Sequence, residues 1–386
     1  MEPTMLEKMS KVPDYRKGNA VKHILSEILV MGILTFVCNG DSYAAMHIFG
    51  VTHEKELRKY LSLPNGIPSQ DTFEDVFAKL KPKALTSVLR EYLSDIKVAA
   101  MQNGCEHMLV GVDGKTLRGS KGLGKKAKHI VTAFASKVRL VLGEIAVDEK
   151  SNEITAIPKL LEMFCQKGMI ITIDAMGTQT AIAEAIIDKK ADYVLSVKNN
   201  QGTLFNDVSL AMEAMEYKST KASKDELKEA GLYERTAEKG HGRYEVRECY
   251  INTDLSLLST VADWKGITGF GMIVSKREEL NKPDKIPTIN REYFIYSVKN
   301  TNATQMLDFK RSHWAIENNL HWSLDVICRE DDSRARLDNA PENLNILRKE
   351  ALHLVLSDNT FKASAKGKRY RCSLDLDYAL TIIGVK

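Results

Sequence analysis

Two short apolar runs, Met108–Val112 and Met169–Ile173, each deliver an aspartate at their carboxyl end, Asp113 and Asp174. Runs that are apolar on successive residues suit strands buried on both faces, as in α/β sheets. Open α/β sheets place their ligands at the carboxyl ends of such strands. Around these runs the pattern continues. Ile130–Ala135 and Leu140–Val147 read as strands joined through Ser136–Arg139 like a hairpin. Ile157–Cys165 reads as a helix ending at Gly168, Thr178–Lys189 as a helix, Tyr193–Val197 as a buried strand and Thr203–Met215 as a further helix. The expected order is β-β-β-α-β-α-β-α.

The flanking regions have a different texture. Residues 1–100 read as a helical N-terminal domain, with an apolar helix over Val21–Val37 and a start at Ser69 for the pattern Phe73–Leu80, bounded by Pro68 and Pro82. Its charge is balanced, thirteen basic against twelve acidic side chains, so a DNA-reading role there has little electrostatic support. Residues 101–216 form the first part of the α/β core. Residues 217–300 read as an inserted β-rich subdomain, with strands near Tyr244–Ile251, Gly269–Val274 and Tyr293–Val298. Helical patterning resumes over 301–360. Residues 361–386 read as a basic tail, with Lys362, Lys366, Lys368, Arg369 and Arg371 and no acid between them.

After Asp113 the charge becomes one-sided. From Gly114 to Gly143 there is no Asp or Glu, but there are eight basic residues, Lys115, Arg118, Lys121, Lys125, Lys126, Lys128, Lys137 and Arg139. A carboxylate beside such a strip suits an enzyme that holds a divalent cation and a polyanion together. A solvated basic hairpin is the other reading. The net charge of +4 is too small to decide by itself.

A third acid is sought on a late helix. In Arg311–Asp325, helical spacing puts His313, Glu317 and His321 on one face, with Trp314, Ile316 and Leu320 available to hold Glu317. The rivals Glu330, Asp331 and Asp332 lie beside Arg329, Arg334 and Arg336 and read as surface charge pairs. Three carboxylates from two strand ends and a helix fit a two-metal phosphoryl-transfer site. The turn Gly240-His241-Gly242-Arg243 offers either cationic contacts to strand phosphates or a plain hairpin turn.

Other classes are disfavoured. There is no HExxH or Cys/His set for zinc and no GxxxxGK[ST] loop for ATP. The six cysteines are scattered and read as reduced thiols of a cytoplasmic protein. The longest apolar run, Ile24–Cys38, is too short for a bilayer, and no secretory signal opens the chain.

These motifs resemble those of DDE insertion-sequence transposases, in the ISAs-type group that includes the H-repeat-associated proteins. VDGKTLRGS (112–120) resembles the first-Asp motif. The stretch 173–201, ending in Lys198-Asn-Asn-Gln201, resembles the second-Asp block, and 311–336 the block carrying the catalytic Glu. PDYRKG (13–18) and GIPSQDTFEDVF (66–77) resemble the group's N-terminal domain. The resemblance implies an RNase H-like core with a β-rich insertion, and Asp113, Asp174 and Glu317 as catalytic and metal-binding residues. It implies Mg2+, with Mn2+ substituting, and double-stranded DNA as partner, both element ends and target. It also implies a homodimer on DNA ends, no membrane, and a nucleoid-associated cytoplasmic location. DNA contacts are expected from Lys115, Arg118, Lys121, Lys125, Lys126, Lys128, Lys198, His241, Arg243, Arg311, His313 and His321. The Tyr-Arg-Glu-Lys spacing of the wider group of insertion-sequence transposases is not kept: Lys310, His313 and Leu324 stand at the Tyr, Arg and Lys positions. A hydrolytic nuclease on the same core, or a domesticated DNA-binding protein without catalysis, are the alternatives.

Overall fold

A computed structural model describes residues 4–18, 21–90, 107–122, 126–147, 153–240, 242–282 and 284–385. Nine strands make one mixed sheet: β1 (Met108–Thr116), β2 (His129–Ala135), β3 (Leu140–Val147), β4 (Met169–Ile173), β5 (Asp192–Val197), β6 (Tyr233–Gly240), β7 (Arg243–Asn252), β8 (Gly269–Glu279) and β9 (Thr288–Tyr296). Their order across the sheet is β3-β2-β1-β4-β5-β9-β8-β7-β6. β4 lies parallel to β1 and to β5, and the other pairings are antiparallel.

The continuous apolar runs follow from burial on both faces. Val110, Val112, Ile171, Ile173 and Leu195 face one core, packed by the helices Glu153–Phe164, Thr180–Asp188 and Gly202–Lys218. Leu109, Ile170 and Val194 face the other, with Phe294 of β9 and with Met306 and Leu307 of the helix Ala303–Ala315. Strand alternation then sets Asp113 and Asp174 on the face of the helix Ala303–Ala315.

Two expectations about organisation change. The strands of 217–300 do not stand apart as a subdomain. β9 pairs with β5, so the insertion continues the core sheet and covers what would otherwise be an open edge. The basic tail is also not a tail. Ala365–Leu374 and Leu376–Ile382 are helices, and their Cys372, Ala379 and Leu380 share one core with the N-terminal helices and with Ala340–Ser357. Arg369 is fully buried because its guanidinium serves backbone carbonyls, Nε donating to Phe36 O at 2.9 Å. The N-terminal helices therefore share a core with the end of the chain. At its centre lies the helix Leu25–Val37, buried along its whole length. Its Glu27 is tolerated there because it accepts from the backbone N–H of Ser62 at 2.6 Å and of Leu63 at 3.2 Å. Among the described residues no helix is long and apolar enough to cross a membrane.

Candidate active site

Asp174 follows β4 and closes a tight turn. Its Oδ1 accepts from the N–H groups of Met176 and Gly177, both at 3.1 Å. The turn is braced from β5. Thr178 Oγ1 donates to Ser196 O at 2.6 Å, Asn200 Nδ2 to Ala175 O at 2.7 Å, and Gln201 Nε2 to Ala175 O and Thr178 O at 2.9 Å each. Here the Lys198-Asn-Asn-Gln201 segment has a physical task, which is to hold the Asp174 loop.

Glu317 is positioned differently. The helix Ala303–Ala315 continues into π-wound turns, Ile316–His321 and Ser323–Ile327. The sequence explains the widening. Ile316, Leu320, Leu324 and Cys328 recur every four residues and pack in one cluster with Phe134 and Leu352. A helix of 3.6 residues per turn would rotate such a row off its target, and wider turns keep it facing inward. The same winding keeps the row His313, Glu317, His321 and Asp325 on one side. His313 Nδ1 meets Thr172 Oγ1 at 3.0 Å, His321 Nδ1 lies 3.4 Å from Asp113 Oδ2, and Asp325 pairs with Lys115 at 2.5 Å.

Asp113 feels all of this. Burial pushes its carboxyl up to about 7, and the charges of Asp174, Glu317 and Glu153 push the same way against a lowering contact from the Gly114 N–H. Among the described residues no Lys or Arg ion pair reaches Asp113, Asp174 or Glu317. A carboxylate group with uncompensated mutual repulsion fits a divalent cation, whose charge would relieve it. The side chains are not closed into a chelate: among the described residues no three His, Cys, Asp or Glu groups are gathered tightly enough to hold a metal ion.

Several expected contacts are corrected. Lys115 is not a DNA contact. Its Nζ is buried between Asp325 Oδ1 and Glu330 Oε2, both at 2.5 Å, and these acids hold it protonated despite burial. Glu330, expected as surface charge, is instead buried and also accepts from Asn345 at 2.7 Å, which removes it as a rival to Glu317. His313 is no phosphate-binding cation. Burial, then the nearby Lys310 charge, lower it to about 3. His321 is likewise lowered to about 3 by burial, with Lys349 and Lys115 adding to the effect.

The rest of the strip is split. Arg118 is exposed, 3.6 Å from Asp331, and Lys121 and Lys198 are exposed. Lys126 and Lys128 line a cleft with Ser120, Arg336 and Asn339, where Lys128 pairs with Glu342 at 3.2 Å. Arg311 is held by Glu238 of β6, and Arg243 is exposed at the start of β7. Lys125 and His241 lie outside the described residues.

Sequence reasoning missed a buried pair behind the site. His129 Nε2 meets Glu153 Oε1 at 2.5 Å, and His129 Nδ1 meets Thr116 Oγ1 at 2.8 Å. Gly114 makes room for them, since a Cβ there would lie 2.3 Å from His129 Nε2 and 2.4 Å from Glu153 Oε1. Lys310 was noted only as a departure from a motif. It is buried against Ser196 Oγ at 2.6 Å, where the Asp174 charge acts on it. No periodicity distinguishes these residues; only the strand register brings them in.

Comparison with known proteins gives the chain a family. Residues 105–354 match the Transposase DDE domain and residues 6–93 the DDE_Tnp_1-associated family, so the chain belongs to the DDE transposase family. It is 35% identical to the H repeat-associated putative transposase YhhI of Escherichia coli K12, over 98% of this chain and 97% of the relative. It is equally 35% identical to the putative transposase YncI of Escherichia coli O157:H7, over 97% of this chain and 93% of the relative. A cryo-EM structure of the piggyBac transposase synaptic complex with hairpin DNA aligns over 98% of this chain and 78% of that chain. The TM-score is 0.42 at 11% identity, too distant a likeness to argue from. The chain is thus an enzyme of the DDE transposase class.

Proposed function

We propose that this enzyme cleaves DNA at the ends of its insertion sequence and joins the freed 3′-hydroxyls to target DNA, on an RNase H-like core. The strand order β3-β2-β1-β4-β5 supports that core, with its antiparallel hairpin beside parallel strands. The observation that carries the site is the rise of Asp113 to about 7, to which the Asp174 and Glu317 charges contribute. Asp113, Asp174 and Glu317 would hold Mg2+, which when bound activates the attacking water or 3′-hydroxyl and stabilises the leaving oxygen. The Asp174 turn fixes one carboxylate in place before DNA arrives. Glu317, exposed on the row it shares with His313 and His321, would complete the set.

Arg118, Lys121, Lys126, Lys128 and Lys198 would contact phosphates, with Arg243 and Arg311 nearer the β6–β7 hairpin. Two chains would act on paired element ends.

The test is strand transfer on double-stranded oligonucleotides carrying the element's flanking inverted repeats, with Mg2+. Joined products support the reading. Nicked DNA without joining would indicate a hydrolytic nuclease, and neither product at any divalent cation would overturn the catalytic assignment.

A further inference from the structure

The helix that carries Glu317 lies over β1 and β4, the strands that set Asp113 and Asp174, and one polar contact ties it to each. On the β4 side, Thr172 Oγ1 meets His313 Nδ1 at 3.0 Å, two residues before Asp174. On the β1 side, Lys115 Nζ donates to Asp325 Oδ1 at 2.5 Å, two residues after Asp113. Side chains return to one face of a strand every second residue, so each tie leaves its strand on the face of the neighbouring aspartate. His313 and Asp325 in turn bracket Glu317 on its own helical row. Between the two ties the helix packs closely, since a Cβ on Gly111 would lie 3.6 Å from Ile316.

The Lys115 tie is built into the interior. Its side chain is 10% exposed, and its second acceptor, Glu330 Oε2 at 2.5 Å, belongs to a buried acid that also accepts from Asn345. To bring Glu330 inward, the chain leaves the wound turns at Cys328 and passes through Arg329 with φ 52°. A side chain holds that left-handed conformation only where its surroundings fix it. Just beyond, Gly119 O accepts from Arg336 Nε at 3.2 Å, and a Cβ on Gly119 would strike Ser333 O at 1.8 Å. The segment after Asp113 is therefore fitted against the segment after the Glu317 helix. One acid suffices to neutralise one ammonium, and Glu330 does so. Asp325, with 32% of its side chain exposed, is the acid that joins Lys115 to the helix.

We propose that Lys115 and Asp325 are positioning residues for DNA cleavage: their ion pair, opposite the His313–Thr172 contact, sets the helix so that Glu317 stands at a fixed place over β1 and β4. The inference rests on the reading of Glu317 as the third catalytic acid. The ties place the helix backbone and leave the Glu317 side chain free to turn. Misplacing a reacting group by about 1 Å can cost roughly a hundred-fold in rate, so a lost tie reaches the chemistry without touching DNA.

Three variants of the full-length protein test this. Asp325→Ala removes the tie while Glu330 still neutralises Lys115, so no buried charge is left unpaired. It should lower the cleavage rate at saturating end DNA by roughly a hundred-fold and leave the DNA concentration for half-maximal rate unchanged. Asp325→Asn keeps an oxygen for the Lys115 ammonium and should recover most of that loss. Lys115→Met/Glu330→Gln removes both buried charges together and should match Asp325→Ala, with no further loss when the two are combined. Hydrogen exchange of the DNA-free protein gives a readout independent of activity: amides of 316–328 should exchange faster in Asp325→Ala, while β1 and β4 keep their protection. Unchanged exchange over 316–328, wild-type turnover in Asp325→Ala, equal losses in Asp325→Asn and Asp325→Ala, or an additive loss in the combined variant would each overturn the inference while leaving Glu317 in place. Cleavage that survives Glu317→Gln, or none from the wild type, would overturn the reading of Glu317 and the inference with it.

Discussion

Asp174 and Glu317, the two acids proposed to act with Asp113, are held in opposite ways. Asp174 is fastened: two backbone N–H groups bind its carboxylate, and Thr178, Asn200 and Gln201 brace the turn around it. Glu317 is carried on a helix held by the apolar row beneath it and by contacts of its neighbours His313 and Asp325, while its own carboxylate is exposed and accepts no such backbone bonds. One acid is preorganised and the other adjusts. A site that must admit DNA and cations and then close on them can fix its floor and leave its wall adjustable.

The comparison breaks at once if the two acids differ in importance. Asp174→Asn and Glu317→Gln are each expected to lower DNA cleavage by at least about a thousand-fold, because a cation centre cannot lose a charged ligand cheaply. Filter binding or gel shift of end DNA should change little for either, since phosphate contacts come from Lys and Arg. Residual cleavage within ten-fold of wild type for Glu317→Gln would return the search to another acid.

The bracing of Asp174 is testable next. Gln201→Ala removes both bonds from its Nε2, and Asn200→Ala one more. Partners that orient a metal-binding carboxylate commonly matter by about 10–100-fold, and the double variant should lose cleavage in that range. The loss should be recovered in part at high divalent-cation concentration. No change in the cation dependence would mean the brace is merely structural.

The two acids were not equally legible in the sequence. Asp113 and Asp174 follow apolar runs; β4 ends where its run predicts, whereas β1 continues to Thr116 by pairing with β2, so Asp113 lies within its strand and not at its end. Glu317 is selected by helical spacing, although the helix is wider than that spacing assumes; a row of four-residue spacings, Ile316 to Cys328, is the available signal for the widening. The charges were misread more often. Lys115 and Glu330 are 215 positions apart, and nothing local says that they neutralise each other inside the protein. Arg369 looked like a tail cation because its carbonyl partner, Phe36, belongs to the other end of the chain. Periodicity reports which face is buried, not which charges meet across a core.

Burial of Asp113, with the charges of Asp174 and Glu317 adding to it, sets a pH dependence. Asp113 is raised from 3.8 to about 7 in the folded protein, so the native state keeps a proton that the unfolded chain releases. Its contribution to stability is full below about pH 4 and is lost as pH rises through about 7. Without divalent cations the protein should lose on the order of 4 kcal/mol over that window, and Asp113→Asn should flatten the profile. Saturating Mg2+ should reverse the sign, since the cation binds the ionised acids more strongly as pH rises. Denaturant titrations at pH 5, 6, 7 and 8 check this. An Asp113→Asn profile superimposing on the wild type would show that Asp113 is not raised in the folded protein.

The smallest effect separates the two acids most cleanly, because it concerns folding rather than chemistry. In the cation-free protein Asp174→Ala leaves the N–H groups of Met176 and Gly177 without their acceptor, a loss of about 1–3 kcal/mol. Glu317 has no such obligation. Its removal also takes away one of the charges that raise Asp113. Glu317→Gln should therefore shift the unfolding free energy by no more than about 0.5 kcal/mol, and toward greater stability at pH 8, where Asp113 is ionised. Equal destabilisation by both substitutions would mean that Glu317 is fastened as firmly as Asp174. The wider helix would then be a fixed feature of the site rather than its adjustable side.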